Sequence, residues 1–171
     1  MDAISLLTKH HRKAETALKK LCRSYDQATL HQVASELAAH MVIEETIFYP
    51  AVRRVNQDLI LESYEEHAIA QFALKRLVAT PGRDPRFQAR ATALLELIQA
   101  HVKEEESELF PKVEKMIDDE TLDALGERLQ QRFEELVEQG YEAILPRQPA
   151  RVTADRESER VATTNGHQAT R

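Results

Sequence analysis

His101-Val102-Lys103-Glu104-Glu105-Glu106-Ser107-Glu108-Leu109-Phe110-Pro111 is nearly a second copy of His40-Met41-Val42-Ile43-Glu44-Glu45-Thr46-Ile47-Phe48-Tyr49-Pro50. A shift of 61 positions brings His40 onto His101, Glu44 onto Glu105, Glu45 onto Glu106, Tyr49 onto Phe110 and Pro50 onto Pro111. A histidine and a glutamate four residues apart lie on one face of an α-helix, about a turn from each other. Two such pairs in one chain read as ligands brought together from two helices.

The flanking sequence supplies those helices. Over residues 3–23, Ile4, Leu7, His11, Ala14, Leu18 and Leu21 alternate at spacings of three and four, the inner seam of a bundle helix. His10 lies about 100° round from that seam, on the flank. A short turn at 24–28 leads to a helix over 29–56 with Leu30, Val33, Leu37, His40, Glu44, Ile47 and Ala51 inward. Pro50 predicts a bend near its end. A third helix, 58–79, has Ile60, Tyr64, His67, Gln71, Leu74 and Val78 on its seam.

Two prolines and a glycine make residues 80–86 a loop. The fourth helix, 87–117, carries Phe87, Ala91, Leu94, Ile98, His101, Glu105 and then Glu108 or Leu109, with a second bend expected at Pro111. Glu45, Glu104 and Glu106 fall on the flanks. Asp118 to Thr121 is an N-cap for a fifth helix, ended by Gly140. Its uninterrupted apolar stripe, from Leu122 to Val137, serves the bundle or a partner, so a homodimer or protein contact through 119–139 is one expectation.

The chain has 171 residues, 42% hydrophobic and 30% charged, with only four glycines and six prolines. That suits one helical domain, placed at 1–140, with an ordinary core. From Leu145 onward large apolar residues thin out, so 141–171 is expected to be a disordered tail. A single cysteine, Cys22, rules out an internal disulfide and a thiolate cluster. The sequence has no apolar run of membrane-spanning length and no secretory leader pattern, which makes cytoplasmic residence and no membrane partner the expectation. A net charge of −6 argues against nucleic acid as a partner.

Each of the four segments thus presents a seam histidine: His11, His40, His67 and His101. Two add the seam carboxylates Glu44 and Glu105. A lone seam histidine is ordinarily a satisfied core residue, and a lone glutamate is ordinarily solvated. The repetition changes that reading, because burying six such groups uncompensated costs several kcal/mol for each charge. Imidazole and carboxylate together suit Fe, Zn, Mn or Ni, and the lack of thiolates disfavours structural zinc. Six groups are too many for one tetrahedral ion. They suit two ions if both glutamates bridge, with coordination positions left for a solvent-derived bridge and a small ligand. A ferritin-like reading fails, since no helix has the Glu-x-x-His spacing of that class.

These residues resemble the hemerythrin-like family of HHE cation-binding domains. The family pattern H…HxxxE…H…HxxxE is met by His11, His40 with Glu44, His67, and His101 with Glu105, over about residues 1–140. The resemblance implies an all-α, up-down-up-down four-helix bundle, here with an additional C-terminal helix, holding two iron ions. It further implies binding or reduction of O2, NO or peroxide at the dinuclear site, with catalase-like or other redox turnover as one form. An iron-binding sensor or an iron store without turnover is the alternative. Oxygen-carrying hemerythrins have a further histidine where this chain has Gln71, and an aspartate five residues after the helix-four histidine, where Glu106 stands. With one histidine fewer, solvent, Tyr49 or Tyr64 gains access to an iron, which favours redox turnover or sensing over reversible oxygen carriage.

Overall fold

The computed structural model describes residues 1–145. Its helices are α1 (Ala3–Arg23), α2 (Gln27–Ile43), α3 (Tyr49–Val52), α4 (Gln57–Val78), α5 (Arg86–Glu104), α6 (Phe110–Met116), α7 (Asp119–Gln139) and α8 (Tyr141–Ile144). Short polar side chains start α1, α2, α4 and α7. Asp2 accepts from the Ser5 N–H, Asp26 from Ala28, Asn56 from Leu59 and Asp118 from Thr121. Each satisfies an amide that the helix leaves unbonded.

α1, α2 with α3, α4, and α5 with α6 form the up-down-up-down bundle: α1 packs on α2 and α5, and α4 on α5 and α2. α7 lies against α1 and α2. Its stripe, including Leu122, Leu125, Leu129 and Leu136, is buried there. The apolar face read from sequence as serving bundle or partner is therefore taken up within the chain. Gly126 permits the contact, because a Cβ there would collide with the Met1 carbonyl and crowd Asp2 and Ala3. Among the described residues no helix is long and apolar enough to cross a membrane.

Two features differ from expectation. Gly140 adopts φ 77°, which glycine tolerates, and turns the chain into α8. Leu145 then packs into the core, so the folded part runs past residue 140. The rest of the expected tail lies outside the described residues. The second difference concerns the seams below Glu44 and Glu105. Residues Glu44–Phe48 and Glu105–Leu109 form single π-turns, in which Tyr49 and Phe110 donate to the carbonyls of Glu44 and Glu105 five residues back. The extra residue advances the inward face by about 100°. Phe48, Tyr49 and Val52 are buried, whereas Ile47 is only half-buried and Ala51 is exposed. Likewise Leu109, Phe110 and Val113 are buried and Glu108 is not.

Pro50 and Pro111 follow these turns directly and have no N–H to contribute, which removes a bond that would oppose the slip. Counting back five, Pro50 leaves the Glu45 carbonyl without its helical donor, and the Tyr64 hydroxyl donates to it at 2.9 Å. On α4 the inward line is Ile60, Ser63, His67, Ala70, Leu74 and Leu77, so Tyr64, Gln71 and Val78 sit at its margin.

The apolar interior is in two parts. One gathers Leu7, Ile43, Phe48, Ile60 and Leu109; the other gathers Leu18, Leu37, Leu74, Leu94 and Ile98. Along every bundle helix a buried polar layer falls between the two.

Candidate metal centre

That layer consists of His11, His40, Glu44, His67, His101 and Glu105, all buried, with both glutamates at 0% exposure. α1 brings His11, the last turn of α2 His40, α4 His67, and the last turn of α5 His101. Each inward glutamate is the first residue of a π-turn. All six residues singled out from sequence are thereby brought together.

Their Nε2 and carboxylate atoms converge. Glu44 Oε2 lies 3.1 Å from His40 Nε2 and 3.4 Å from His67 Nε2, and its Oε1 lies 3.7 Å from His11 Nε2. Glu105 Oε2 stands 3.4 Å from His11 Nε2 and 3.5 Å from His101 Nε2. The Nε2 atoms of His67 and His101 are 3.0 Å apart. Two overlapping triplets, His11–His40–Glu44 and Glu44–His67–His101, each place their ligand atoms within 4.8 Å of one another, and Glu44 belongs to both.

Proximity here does not amount to hydrogen bonding. Both carboxylate oxygens of Glu44, Oε2 of Glu105 and Nε2 of His11 have no hydrogen-bond partner among the described residues. Buried polar atoms are nearly always satisfied, and an unpaired buried carboxylate is costly. Cations seated between these atoms fit the donor set, which is imidazole nitrogen and carboxylate oxygen without sulfur.

The glutamates are not equivalent. Tyr49, fully buried, donates its hydroxyl to Glu105 Oε1 at 2.8 Å and lies 3.3 Å from His67 Nε2. Burial and the charges of Glu44 and Glu105 push the phenol pKa up, so Tyr49 stays a donor. Glu44 receives no such bond.

A second ring of groups holds the histidines from behind. Glu45 of the first π-turn meets His67 Nδ1 at 3.1 Å, Glu66 of α4 meets His101 Nδ1 at 2.7 Å, and Glu106 of the second π-turn meets His11 Nδ1 at 2.8 Å. Gln71 supports Glu45 at 3.2 Å, and Arg12 pairs with Glu106. Carboxylates on Nδ1 fix the tautomer that turns Nε2 inward.

His40 is the exception. Its Nδ1 has no hydrogen-bond partner among the described residues, and the His10 ring stands roughly perpendicular to it, with centroids 5.7 Å apart. His10 itself stacks on Phe133 of α7 at 4.0 Å.

The electrostatics follow the geometry. Burial depresses His67, but the carboxylates of Glu44 and Glu45 outweigh it and raise its pKa to about 9. Burial likewise opposes protonation of His11, yet Glu105, Glu106 and Glu44 carry its pKa well above the ordinary value. For His40 burial wins, and its pKa is pushed well down. His10 falls to about 4, chiefly through burial. Burial works to raise Glu44, but His40, His11 and His67 hold it well below the carboxylate range.

Glu45, Glu66 and Glu106 were not candidates from the seam pattern. Each is the sequence neighbour of a seam residue, and a 100° offset lets it reach the histidine of the next helix. Adjacency to a seam ligand was the available signal. Of the residues with access expected from sequence, Tyr49 borders the layer, while Tyr64 and Gln71 serve Glu45.

A cavity of about 160 Å³ leads to the layer between α4 and α5. It runs from the exposed Ile69 and Leu97 past Ala70 and Ile98 to His67 and His101. That volume is below the range of drug-sized sites and suits a molecule of a few atoms.

The fold and this layer define a cation-binding helical bundle. The family described as Hemerythrin HHE cation binding domain matches residues 2–113, and the chain belongs to it. An uncharacterized protein of Mycobacterium tuberculosis is 28% identical over 146 residues, covering 80% of this chain and 88% of that protein. A DNA nickase of Nostoc is 28% identical over 118 residues, 66% of this chain but only 34% of the relative. The crystal structure of a hemerythrin HHE cation binding domain-containing protein from Mycobacterium kansasii superposes with a TM-score of 0.71. It is 26% identical, and the match covers 81% of this chain and 89% of that one.

Proposed function

We propose that this protein holds two iron ions, one toward His11 and His40 and one toward His67 and His101, with Glu44 and Glu105 between them. At that centre it binds or reduces O2, NO or peroxide. The observation that carries the reading is the pair of histidine triplets sharing Glu44, whose two buried oxygens lack hydrogen-bond partners among the described residues. Iron is the metal of the proposal because its two oxidation states and open coordination supply electrons and a place for a small ligand.

The chain's own groups do the rest. The histidines present Nε2 inward because Glu45, Glu66 and Glu106 hold Nδ1 of three of them. Glu44 and Glu105 bring two negative charges that offset four positive ones in part. Tyr49 keeps its proton on the hydroxyl and steadies one oxygen of Glu105. The mostly apolar cavity admits a small, weakly hydrated molecule and excludes larger ones. The activity named for the Nostoc relative is not carried over, since the match spans a third of that protein. Residence in the cytoplasm accords with the use of iron and remains part of the proposal.

Elemental analysis of tag-free protein from iron-sufficient medium tests the metal, with about two irons per chain expected. One zinc, or no metal, overturns the centre. Loaded protein mixed with peroxide, O2 or NO then tests the ligand. Oxygen evolution or a spectral change on mixing supports binding or turnover, and silence toward all three leaves storage as the better reading.

A further inference from the structure

Besides its metal-facing line, α4 carries a second pattern, which meets the cavity only at Ile69, on the rim of its mouth. Opposite its buried line, Leu61, Glu65, Ile69, Phe72 and Arg76 follow spacings of four, four, three and four along the outward face. Leu61 is 49% exposed, Ile69 54% and Phe72 55%. Single exposed apolar residues are ordinary, but three large ones on one stripe form a patch that marks a contact surface. Arg76 lies over the Phe72 ring, with its guanidinium carbon 5.7 Å from the centroid. No ion pair within the described residues engages Glu65 or Arg76.

The stripe is complementary to itself. Its charges are segregated, acidic toward the start of α4 (Asp58, Glu62, Glu65) and basic toward its end (Lys75, Arg76), with Ile69 and Phe72 between. Laid antiparallel on its own image about an axis midway between Ile69 and Phe72, each Ile69 meets Phe72 of the second copy. Each Glu65 meets Arg76 of the second copy. The register is that of an antiparallel helix pair with alternating inward positions, and two-fold symmetry forms every contact twice. A parallel pairing would instead set like charges together.

We propose that the outward face of α4 is a homodimer interface, formed with α4 of a second copy of this chain in antiparallel register. The stripe faces away from the bundle interior and from α7, so dimerisation leaves the packing of α7 untouched. One helix pair makes a small interface, which suits a weak dimer in exchange with the single chain.

Sedimentation velocity of the full chain, over concentrations spanning the micromolar range, tests this. The mass should rise with concentration from one chain to two. Phe72→Glu should hold the protein monomeric with its circular dichroism unchanged, since the side chain is exposed. Arg76→Glu should weaken association about tenfold by setting two pairs of like charge together. The double variant Glu65→Arg with Arg76→Glu should restore it. A wild-type chain that stays monomeric overturns the proposal. So does a dimer indifferent to Phe72→Glu, which would pair through another face, or a double variant no better than Arg76→Glu.

Discussion

Tyr49 donates its hydroxyl to Glu105 across the bundle at 2.8 Å, whereas Phe110, at the matching place in the other copy of the repeat, has no hydroxyl to offer Glu44. One oxygen atom thus breaks the pseudo-symmetry of the centre. Tyr49→Phe would leave Glu105 Oε1 buried and unpaired. We expect it to lower the stability of the chelator-treated protein by about 2 kcal/mol, the usual cost of orphaning a charged acceptor. Metal content should be unchanged. Urea unfolding of both forms checks this, and a loss below about 0.5 kcal/mol would mean the hydroxyl matters only for shape.

Glu44 belongs to both triplets, while His40 belongs to one. Glu44→Ala should therefore cost the protein nearly all its metal, and His40→Ala about half of it. Elemental analysis of the two variants beside wild type distinguishes the cases. Equal losses would argue against a shared carboxylate.

The carboxylates behind the histidines act through orientation. Glu66→Ala and Glu106→Ala should each weaken metal affinity about 10- to 100-fold, measured by competition with a chromophoric chelator. His10→Ala is the contrast. The His10 ring lies roughly perpendicular to His40 but mainly stacks on Phe133, so its loss should loosen α7 by about 1 kcal/mol and leave affinity near wild type. Equal effects from His10 and Glu66 would contradict the distinction.

Gly126 lets the chain start lie against α7. Gly126→Ala pushes a methyl group into the Met1 carbonyl and the backbone beyond it. The chain end or α7 must shift, at a cost of about 1–3 kcal/mol. A lower urea midpoint with unaltered metal content is the expected result. Unchanged stability would mean the first residues lift away freely.

Much of this was legible in the linear order. His11, His40, His67 and His101 recur on seams of helical period, and helix limits follow from the cap at Asp118–Thr121, the proline-rich loop at 80–86 and Gly140. The seam pattern lost its phase after Glu44 and Glu105, because a period read from sequence assumes an unbroken α-helix. The π-turns insert one residue each and bring Tyr49 inside in place of Ile47. Proline signalled a disturbance there but not its form.

The sequence by itself determined that four helices each carry a histidine on the inner seam and that two of them add a glutamate. Periodicity is a local property of the chain, and a repeat can be read from it directly. Only the tertiary structure decided which histidine each outer carboxylate holds, that Glu44 is shared while Glu105 is tied to Tyr49, and that His40 has no carboxylate behind it. Those relations join residues on different helices at distances near 3 Å, set by how the helices pack and rotate against one another, and no spacing along a single helix encodes them.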